Sequence, residues 1–323
     1  MPHLPCKLCL VIPCYNEESI LQDTIKQLLS LLQDVVQKDL ASAESCMLLV
    51  NDGSSDKTWE IIENASKEYP GKVLGASLAA NRGHQAALLA GLTEASEISD
   101  VTVSLDADLQ DDINVIQDFL REYHNGNDIV YGVRNDRSSD SFFKRMTAES
   151  FYKLMQWLGV KTIYNHADFR LMSKRAVKAL LEYSEVNLYI RGLVPILGFR
   201  QAIVFYKRKP ADRPTHYPLS KMLLLAWEGI TSFSIRPIRA ITALGVGMLL
   251  VCFLLLIYIL YSKFLGVTVA GWTSLGAVVL LLGSFQLLSI GIIGEYIAKI
   301  YLEVKRRPRF LIQKTIGFKD KEK

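Results

Sequence analysis

The sequence predicts an α/β domain with a mostly parallel sheet, followed by an interfacial amphipathic helix and two C-terminal transmembrane helices. Up to about residue 210, short apolar runs alternate with amphipathic stretches, which is the pattern of strands and the helices that cover them. Half of the 323 residues are hydrophobic, and this excess is concentrated after about residue 240. We therefore expect a domain at 1–210, a loop and interfacial helix at 211–238, and transmembrane helices with a basic tail at 239–323.

Several strands and helices are expected within the first domain. The strands follow from short apolar runs at 8–12, 46–50, 73–76, 101–105 and 129–133. The helices follow from apolar residues at helical spacing at 19–36, 56–69, 85–95 and 113–123. Because ligands bind beyond the carboxyl ends of the strands in such sheets, the polar segments that follow these strands form the candidate site.

Two uncharged apolar segments, at 241–261 and 273–293, predict a multi-pass membrane protein. Each has 21 residues, which matches the ~20 that a helix needs to cross the hydrocarbon core. Arg236 and Arg239 precede the first segment, and a basic cluster follows the second: Lys299, Lys305, Arg306, Arg307 and Arg309. The positive-inside rule then predicts a cell-membrane protein whose large domain is cytosolic. The alternative is a buried helical hairpin in a soluble core.

The expected membrane attachment includes a third segment. Residues 217–235 carry apolar side chains at i, i+3, i+4 and i+7, which predicts an amphipathic helix lying in the membrane interface. The alternative is a core helix of the domain. We expect no signal peptide, because Pro13, Glu17 and Glu18 directly follow the first apolar run.

Charge and cysteine usage argue against two other classes of protein. The net charge of +4 implies no strong bulk attraction to nucleic acid, so no nucleic-acid partner is expected. Cys6 and Cys9 match C-x-x-C, but no second pair or nearby histidine completes a zinc site. Free, buried thiols in a reducing cytosol are the expected state of these cysteines.

The strongest chemical motif is Asp106-Ala107-Asp108, which directly follows the apolar run at 101–105. Two carboxylates one residue apart at a strand end can hold a hard divalent cation. Mg²⁺ or Mn²⁺, bound by one or two carboxylates and by substrate phosphates, neutralises charge on a departing diphosphate. The alternative is a solvated acidic turn, but the buried strand before the motif and Leu109-Gln110-Asp111 after it favour a metal site.

Three further polar turns follow predicted strands. After the first strand, Tyr15 offers a flat face on which a base can stack. After the second, Asp52 could accept a hydrogen bond from a base or ribose, and after the third, Arg82 could meet a diphosphate. His84, in the same turn as Arg82, is expected to be structural rather than catalytic. The alternative for the turn after the first strand is a plain helix start, and the alternative for the turn after the second is an Asx turn followed by an N-cap.

The order of these motifs resembles a known enzyme family. The segments 13–18, 51–58, 81–88 and 106–111 resemble family 2 glycosyltransferases, which have the A-type glycosyltransferase (nucleotide-diphospho-sugar transferase) fold. Four further motifs are Asp168-Phe169-Arg170-Leu171, Tyr189-Ile190-Arg191-Gly192, Tyr217-Pro218-Leu219-Ser220-Lys221-Met222 and Gly294-Glu295-Tyr296. They narrow the resemblance to polyprenyl-phosphate glycosyltransferases, which include dolichyl-phosphate mannose synthases and bacterial undecaprenyl-phosphate (bactoprenol) glucosyltransferases. The resemblance covers nearly the whole chain.

The resemblance implies a role for each matching position. The residues implied to bind the nucleotide are Pro13, Tyr15, Glu17, Asp52, Arg82 and Asp106. Those implied to bind Mg²⁺ or Mn²⁺ are Asp106, Asp108 and Gln110. Those implied to meet the acceptor phosphate are Arg134, Arg145 and Arg208, with a plain surface helix as the alternative for Arg145. The candidate catalytic carboxylates are Asp168 and Asp108.

The activity implied by the resemblance is an inverting transfer of a hexose from a nucleotide sugar to a polyprenyl phosphate. UDP-glucose or UDP-N-acetylglucosamine is the expected donor and undecaprenyl phosphate the expected acceptor, at the cytosolic membrane face in cell-envelope synthesis. A phosphate acceptor is already ionised, since its second pKa is about 6, so Asp168 is expected to orient a substrate rather than take a proton. Related enzymes suggest a homo-oligomer.

Two alternative functions remain open from the sequence. A processive polysaccharide synthase resembles this chain at the aspartate pair, but it adds a Gln-x-x-Arg-Trp motif and further membrane helices, and this sequence has neither. A non-catalytic membrane adaptor could retain a sugar-nucleotide fold. A degraded metal site would favour the adaptor, and here Asp106 and Asp108 are both present.

Overall fold

The computed structural model describes residues 5–134, 166–185, 190–206, 236–265 and 271–318. Its sheet contains eight strands: β1 Leu8–Cys14, β2 Cys46–Asn51, β3 Val73–Leu78, β4 Val101–Ser104, β5 Ile129–Arg134, β6 His166–Ser173, β7 Gln201–Tyr206 and β8 Ile312–Ile316. The α-helices are α1 Leu21–Gln37, α2 Thr58–Glu68, α3 His84–Ile98, α4 Ile116–His124, α5 Lys174–Glu182, α6 Ile190–Leu193, α7 Arg236–Phe264 and α8 Trp272–Val304. Short 3₁₀ turns lie at Ile113–Val115 and Val194–Leu197.

The sheet is mixed, with the strand order β7-β5-β6-β4-β1-β2-β3-β8. Strands β4, β1, β2 and β3 run parallel to one another, as predicted for the first part of the chain. The prediction of a mostly parallel sheet holds for these strands and for the β5–β7 pair. Strand β6 runs antiparallel to both β4 and β5, and β8 runs antiparallel to β3, so the whole sheet is not uniform in direction.

The core explains why the first strands read as continuous apolar runs. Every residue of β1 is buried, because helices cover both faces of a parallel sheet. Helix α3 lies against β1 and β2 at Gly91, where an added Cβ would come within 2.4 Å of Cγ1 of Val11. The amphipathic helix α1 buries Leu21, Ile25 and Leu28 on one face. This packing fixes the carboxyl ends of the central strands, where the candidate site lies.

The predicted strands and helices of the first domain are all present, with shifted ends. Helix α2 begins at Thr58 rather than at residue 56, because the Asp56 carboxylate accepts hydrogen bonds from the backbone N–H groups of Thr58 (3.0 Å) and Glu18 (3.1 Å). The predicted helix at 113–123 begins as a 3₁₀ turn, with Asp112 accepting from the backbone N–H of Asn114. Strands β6, β7 and β8 were not predicted. Cys6 and Cys9 are buried and free, as expected.

Strand β8 comes from the segment predicted as a basic tail, yet it completes the β3 edge of the sheet. The backbone N–H of Ala79 donates to the carbonyl of Leu311 at 2.9 Å, which extends the pairing past the end of β3. Lys314 bonds to Glu63 on α2. Gly317 has φ +77°, and an added Cβ there would lie 2.6 Å from Oγ of Ser66. The segment after α8 is therefore packed closely against the sheet domain.

The helices α7 and α8 belong to a second compact unit. The predicted span at 241–261 lies within α7, and the one at 273–293 lies within α8. Among the described residues, one helical segment, Leu281–Val304, is long and apolar enough to cross a membrane. The two-span topology and the multi-pass location therefore stay predictions. The predicted interfacial helix at 217–235 lies outside the described residues, as do Arg145 and Arg208.

Candidate active site

The candidate site is built where polar turns follow β1, β2, β3 and β4. Because these strands are parallel, their carboxyl ends meet at one edge of the sheet. The turns after β1 and β2 are joined by hydrogen bonds: the backbone N–H of Asn16 donates to Oγ of Ser54 at 3.0 Å, and that of Ser55 donates to Oδ1 of Asn16 at 2.9 Å. Two turns that are distant in sequence thus form one platform.

The platform carries the residues predicted to hold a base. Pro13 is buried within β1, while the ring of Tyr15 is 49% exposed and open to a ligand. Glu17 is half-buried, and its backbone N–H donates to Oγ1 of Thr58 at 2.9 Å. The same turn therefore carries an exposed aromatic ring and an acidic residue two positions further along.

Asp52 fixes the turn that carries Arg82. Its buried carboxylate accepts hydrogen bonds from the backbone N–H groups of Arg82 (2.8 Å) and Gly83 (2.9 Å). Gly53 has φ +64°, and an added Cβ would lie 2.6 Å from the backbone nitrogen of Asn81, so only glycine fits. Asp52 thus holds the loop between β3 and α3, and the Arg82 side chain stays exposed.

The aspartate motif forms a tight turn directly after β4. Leu109 has φ +44°, an uncommon conformation for a branched side chain, and its side chain is buried in the core. The backbone N–H of Gln110 donates to Oδ1 of Asp108 at 3.2 Å, which turns the chain back. The side chain of Asp106 is 47% exposed and that of Asp108 is also exposed. Burying Leu109 therefore leaves the two carboxylates facing outwards.

The charge around Asp106 fits a cation. Its pKa is raised, chiefly because the surrounding protein limits its hydration; His84 opposes the rise, and the negative Asp168, Asp108 and Asp111 add to it. Among the described residues there is no group of three or more His, Cys, Asp or Glu side chains that could hold a metal ion by itself. Mg²⁺ and Mn²⁺ commonly use one or two carboxylates together with substrate phosphates, so Asp106 and Asp108 are a suitable donor set.

Asp168 lies on β6 and is held by three basic side chains. Its carboxylate accepts two hydrogen bonds from Arg191, from Nε at 3.1 Å and from Nη2 at 2.9 Å, and a further one from Nη2 of Arg170. The Nε2 atom of His84 lies 3.6 Å from Oδ2 of Asp168 and 3.7 Å from Oδ1 of Asp106. His84 therefore links the predicted metal carboxylate with the predicted catalytic carboxylate.

The protonation of this cluster follows from its contacts. Burial acts to raise the pKa of Asp168, but His84, Arg170 and Arg191 outweigh it and hold the pKa well below its usual value. The contact with Asp168 raises the pKa of His84, although burial opposes the shift. Asp168 is thus a firmly held anion at neutral pH, which makes it a poor proton acceptor.

The sequence did not single out the basic partners of Asp168. His84 was expected to be structural, and Arg170 and Arg191 were noted only as parts of motifs. One local signal was present: residues two apart on a strand share a face, so Asp168 and Arg170 had to lie side by side if 166–173 formed a strand. No local pattern could place Arg191, which joins the cluster from α6, or His84, which joins it from the first turn of α3.

Arg134 occupies the end of β5 in a separate polar cluster. Its Nη2 lies 3.3 Å from Oδ1 of Asp111, and its Nε donates to the hydroxyl of Tyr206 at 3.3 Å. Its side chain is partly exposed. The contact of Arg134 with an acceptor phosphate stays a prediction.

Comparison with known proteins identifies the family and several relatives. Residues 9–181 match the model of glycosyl transferase family 2. The chain is 51% identical over 306 residues to the "uncharacterized glycosyltransferase YkoT" of Bacillus subtilis, covering 94% of this chain and 90% of the relative. It is 37% identical over 317 residues to the "SfII prophage-derived bactoprenol glucosyl transferase" of Shigella flexneri, covering 96% and 98% respectively.

A solved mannosyltransferase from Pyrobaculum calidifontis, in complex with GDP-Man and Mn²⁺, aligns with 94% of this chain and 87% of its own. The TM-score of that alignment is 0.45 and the sequence identity is 13%.

Proposed function

This chain belongs to glycosyl transferase family 2, and from that premise we propose that it glycosylates a polyprenyl phosphate. The donor is a nucleotide sugar, with UDP-glucose first and UDP-N-acetylglucosamine second, and the acceptor is undecaprenyl phosphate. The reaction takes place at the cytosolic membrane face. One observation carries the proposal: the similarity to a protein named bactoprenol glucosyl transferase runs over 96% of this chain, so it includes the long C-terminal helices as well as the sheet domain.

The donor is proposed to bind across the turns that follow the parallel strands. Tyr15 stacks on the base, with Pro13 and Glu17 beside it, and Arg82 meets the diphosphate. Asp52 contributes by holding the Arg82 loop in place, because its carboxylate bonds to two backbone amides of that loop. The donor pocket therefore depends on contacts between three turns.

Asp106 and Asp108 are proposed to hold Mg²⁺ or Mn²⁺, with Gln110 beside them. The bound ion would neutralise the negative charge that develops on the departing nucleoside diphosphate. The negative Asp168, Asp108 and Asp111 around Asp106 support this assignment, since a bound cation would relieve the repulsion among these carboxylates.

The proposed reaction is a single displacement that needs no general base. An oxygen of the lipid phosphate attacks the anomeric carbon while the bond from that carbon to the diphosphate breaks, so the configuration inverts. The acceptor phosphate is already an anion at neutral pH, and Asp168 is held by Arg191 and Arg170. Arg134, with Arg145 and Arg208, is proposed to bind the lipid phosphate.

The test is to incubate membranes containing the full chain with a panel of labelled sugar nucleotides, and to identify the glycolipid that forms. We expect one hexose to be transferred to undecaprenyl phosphate in the presence of Mn²⁺, with release of the nucleoside diphosphate only when the lipid is present. Release at the same rate without lipid phosphate, or formation of a long polysaccharide, would contradict the proposal.

A further inference from the structure

We propose that Arg191, supported by Arg170 and His84 around Asp168, forms a binding subsite for a phosphate group of one of the two substrates. This inference rests on the proposed function, which supplies two phosphate-bearing substrates. Its residues differ from those of the cluster at the end of β5, which consists of Arg134, Asp111 and Tyr206.

Positive side chains are concentrated around Asp168. Two guanidinium groups, those of Arg170 and Arg191, contact its carboxylate. The side chain of Arg170 is 2% exposed and that of Asp168 is 12% exposed, so water screens this charge poorly. Guanidinium groups held in a partly buried place favour an anionic ligand.

Arg170 has unused hydrogen-bond donors. Within the described part of the chain, Nε and Nη1 of Arg170 are buried and have no hydrogen-bond partner. Buried polar atoms are almost always paired, and unpaired ones call for a ligand or an ordered water. Arg170 pairs with Ser104 and Tyr131 on the neighbouring strands, in the interior of the sheet.

The position and shape of Arg191 decide which anion fits. Its side chain is 43% exposed, so it can reach a ligand while Asp168 fixes its orientation through two hydrogen bonds. The planar guanidinium matches the oxygens of a phosphate. His84 joins this group to Asp106, the predicted metal ligand, at 3.7 Å. The phosphate can belong to the donor diphosphate or to the lipid, and kinetics can separate the two.

The experiment compares Arg191→Gln and Arg191→Lys with Arg121→Gln in the full chain. Arg121 is an exposed arginine on α4 that pairs only with the exposed Asp118 among the residues described, so it is a matched surface control. The first measurement is the unfolding temperature in the presence of inorganic phosphate or pyrophosphate, which needs no turnover. We expect Arg191→Gln to bind the anion at least about tenfold more weakly than the wild type. Arg191→Lys should lose only part of the binding, because a single ammonium charge replaces the planar guanidinium with its paired N–H donors. Arg121→Gln should bind the anion as the wild type does.

The second measurement identifies the source of the phosphate. If the phosphate belongs to the lipid, Arg191→Gln raises the KM for undecaprenyl phosphate about tenfold or more and leaves the KM for the sugar nucleotide within about twofold. If it belongs to the donor, the KM for the sugar nucleotide rises about tenfold or more and the KM for undecaprenyl phosphate stays within about twofold. Anion binding and both KM values within about twofold of wild type would overturn the subsite. If the wild-type chain makes no glycolipid but Arg191→Gln still loses phosphate binding, the proposed function fails and the subsite stands.

Discussion

Arg191 bonds to Asp168 through both oxygens of the carboxylate, from Nε at 3.1 Å and from Nη2 at 2.9 Å. A bidentate pair of this kind fixes the direction of both side chains. With Arg170 on the same carboxylate, the acceptor sites of Asp168 are largely occupied by protein donors. Its function is therefore expected to be electrostatic and positional.

Replacing Asp168 by Asn should reduce both stability and turnover. The change leaves the buried Arg170 without its counter-charge, which costs about 3 kcal/mol or more. Turnover should fall because Arg191 and His84 lose their common partner. If Asp168 were a general base, raising the pH would restore activity; we expect no such recovery between pH 7 and pH 9.

Asp118→Asn is the control for that experiment. Asp118 pairs with Arg121 on the surface of α4, where both side chains are more than half exposed. Its loss should change the free energy of unfolding by less than about 0.5 kcal/mol. Recovery of Asp168→Asn at high pH, with normal donor binding, would instead identify Asp168 as a base.

Asp106→Asn and Asp108→Asn should each lower kcat by about 100-fold or more and raise the Mn²⁺ concentration needed for half-maximal rate. The expected reason is the loss of a carboxylate that holds the cation beside the diphosphate. Asp112→Asn is a matched control in the same loop, since its side chain caps the turn by accepting from Asn114 and asparagine can do the same. Full activity of either variant in the presence of a chelator would refute the metal assignment.

Asp128 should make the fold sensitive to acid. Burial acts to raise its pKa, but hydrogen bonds from Arg175 and Ser173 (2.8 Å) prevail and lower it. Asp128 therefore stabilises the fold above its unfolded pKa of about 3.9, and this contribution is lost as the pH falls through the lower folded value. The difference in unfolding temperature between wild type and Asp128→Asn should be largest near neutral pH and shrink in acid. Asp23→Asn, at an exposed site on α1, should show little difference at any pH.

Gly317→Ala should destabilise the sheet domain more than Gly71→Ala. Both glycines have positive φ, +77° and +74°, so both substitutions carry a backbone cost of about 1–2 kcal/mol. An added Cβ at Gly317 also meets Ser66 and the backbone oxygen of Val73, whereas nothing lies within 4 Å of one at Gly71. Thermal unfolding of both variants measures the difference. Equal losses would mean that the packing after β8 contributes little.

The sequence predicted the strands that are buried on both faces and the helices that are buried on one face. Strands β1 to β5 are apolar because both faces are covered, and α1 is amphipathic because one face is buried, so composition and spacing were sufficient. Strand β6 was missed because its buried face carries Asp168 and Arg170, which do not read as core residues. Strand β8 was missed because its partner, β3, lies far away in the chain.

Only part of the candidate site was predictable from the sequence. Asp106, Asp108 and Asp52 follow strands directly, so their common location at the sheet edge followed from the order of the strands. The basic cluster around Asp168 did not, because its members come from α3, β6 and α6 and meet only in the folded chain. Charged pairs between distant segments leave no periodic pattern for a sequence to display.

The position of β8 after both long helices sets an order for biosynthesis. The outer edge of β3 can acquire its partner only when the ribosome has added about 230 further residues, which takes roughly 10 to 50 seconds. An unpaired edge strand is a template for contacts with other chains. During that interval the nascent protein therefore carries an unpaired strand edge. Binding to a chaperone or early docking to the membrane would protect it most at that stage.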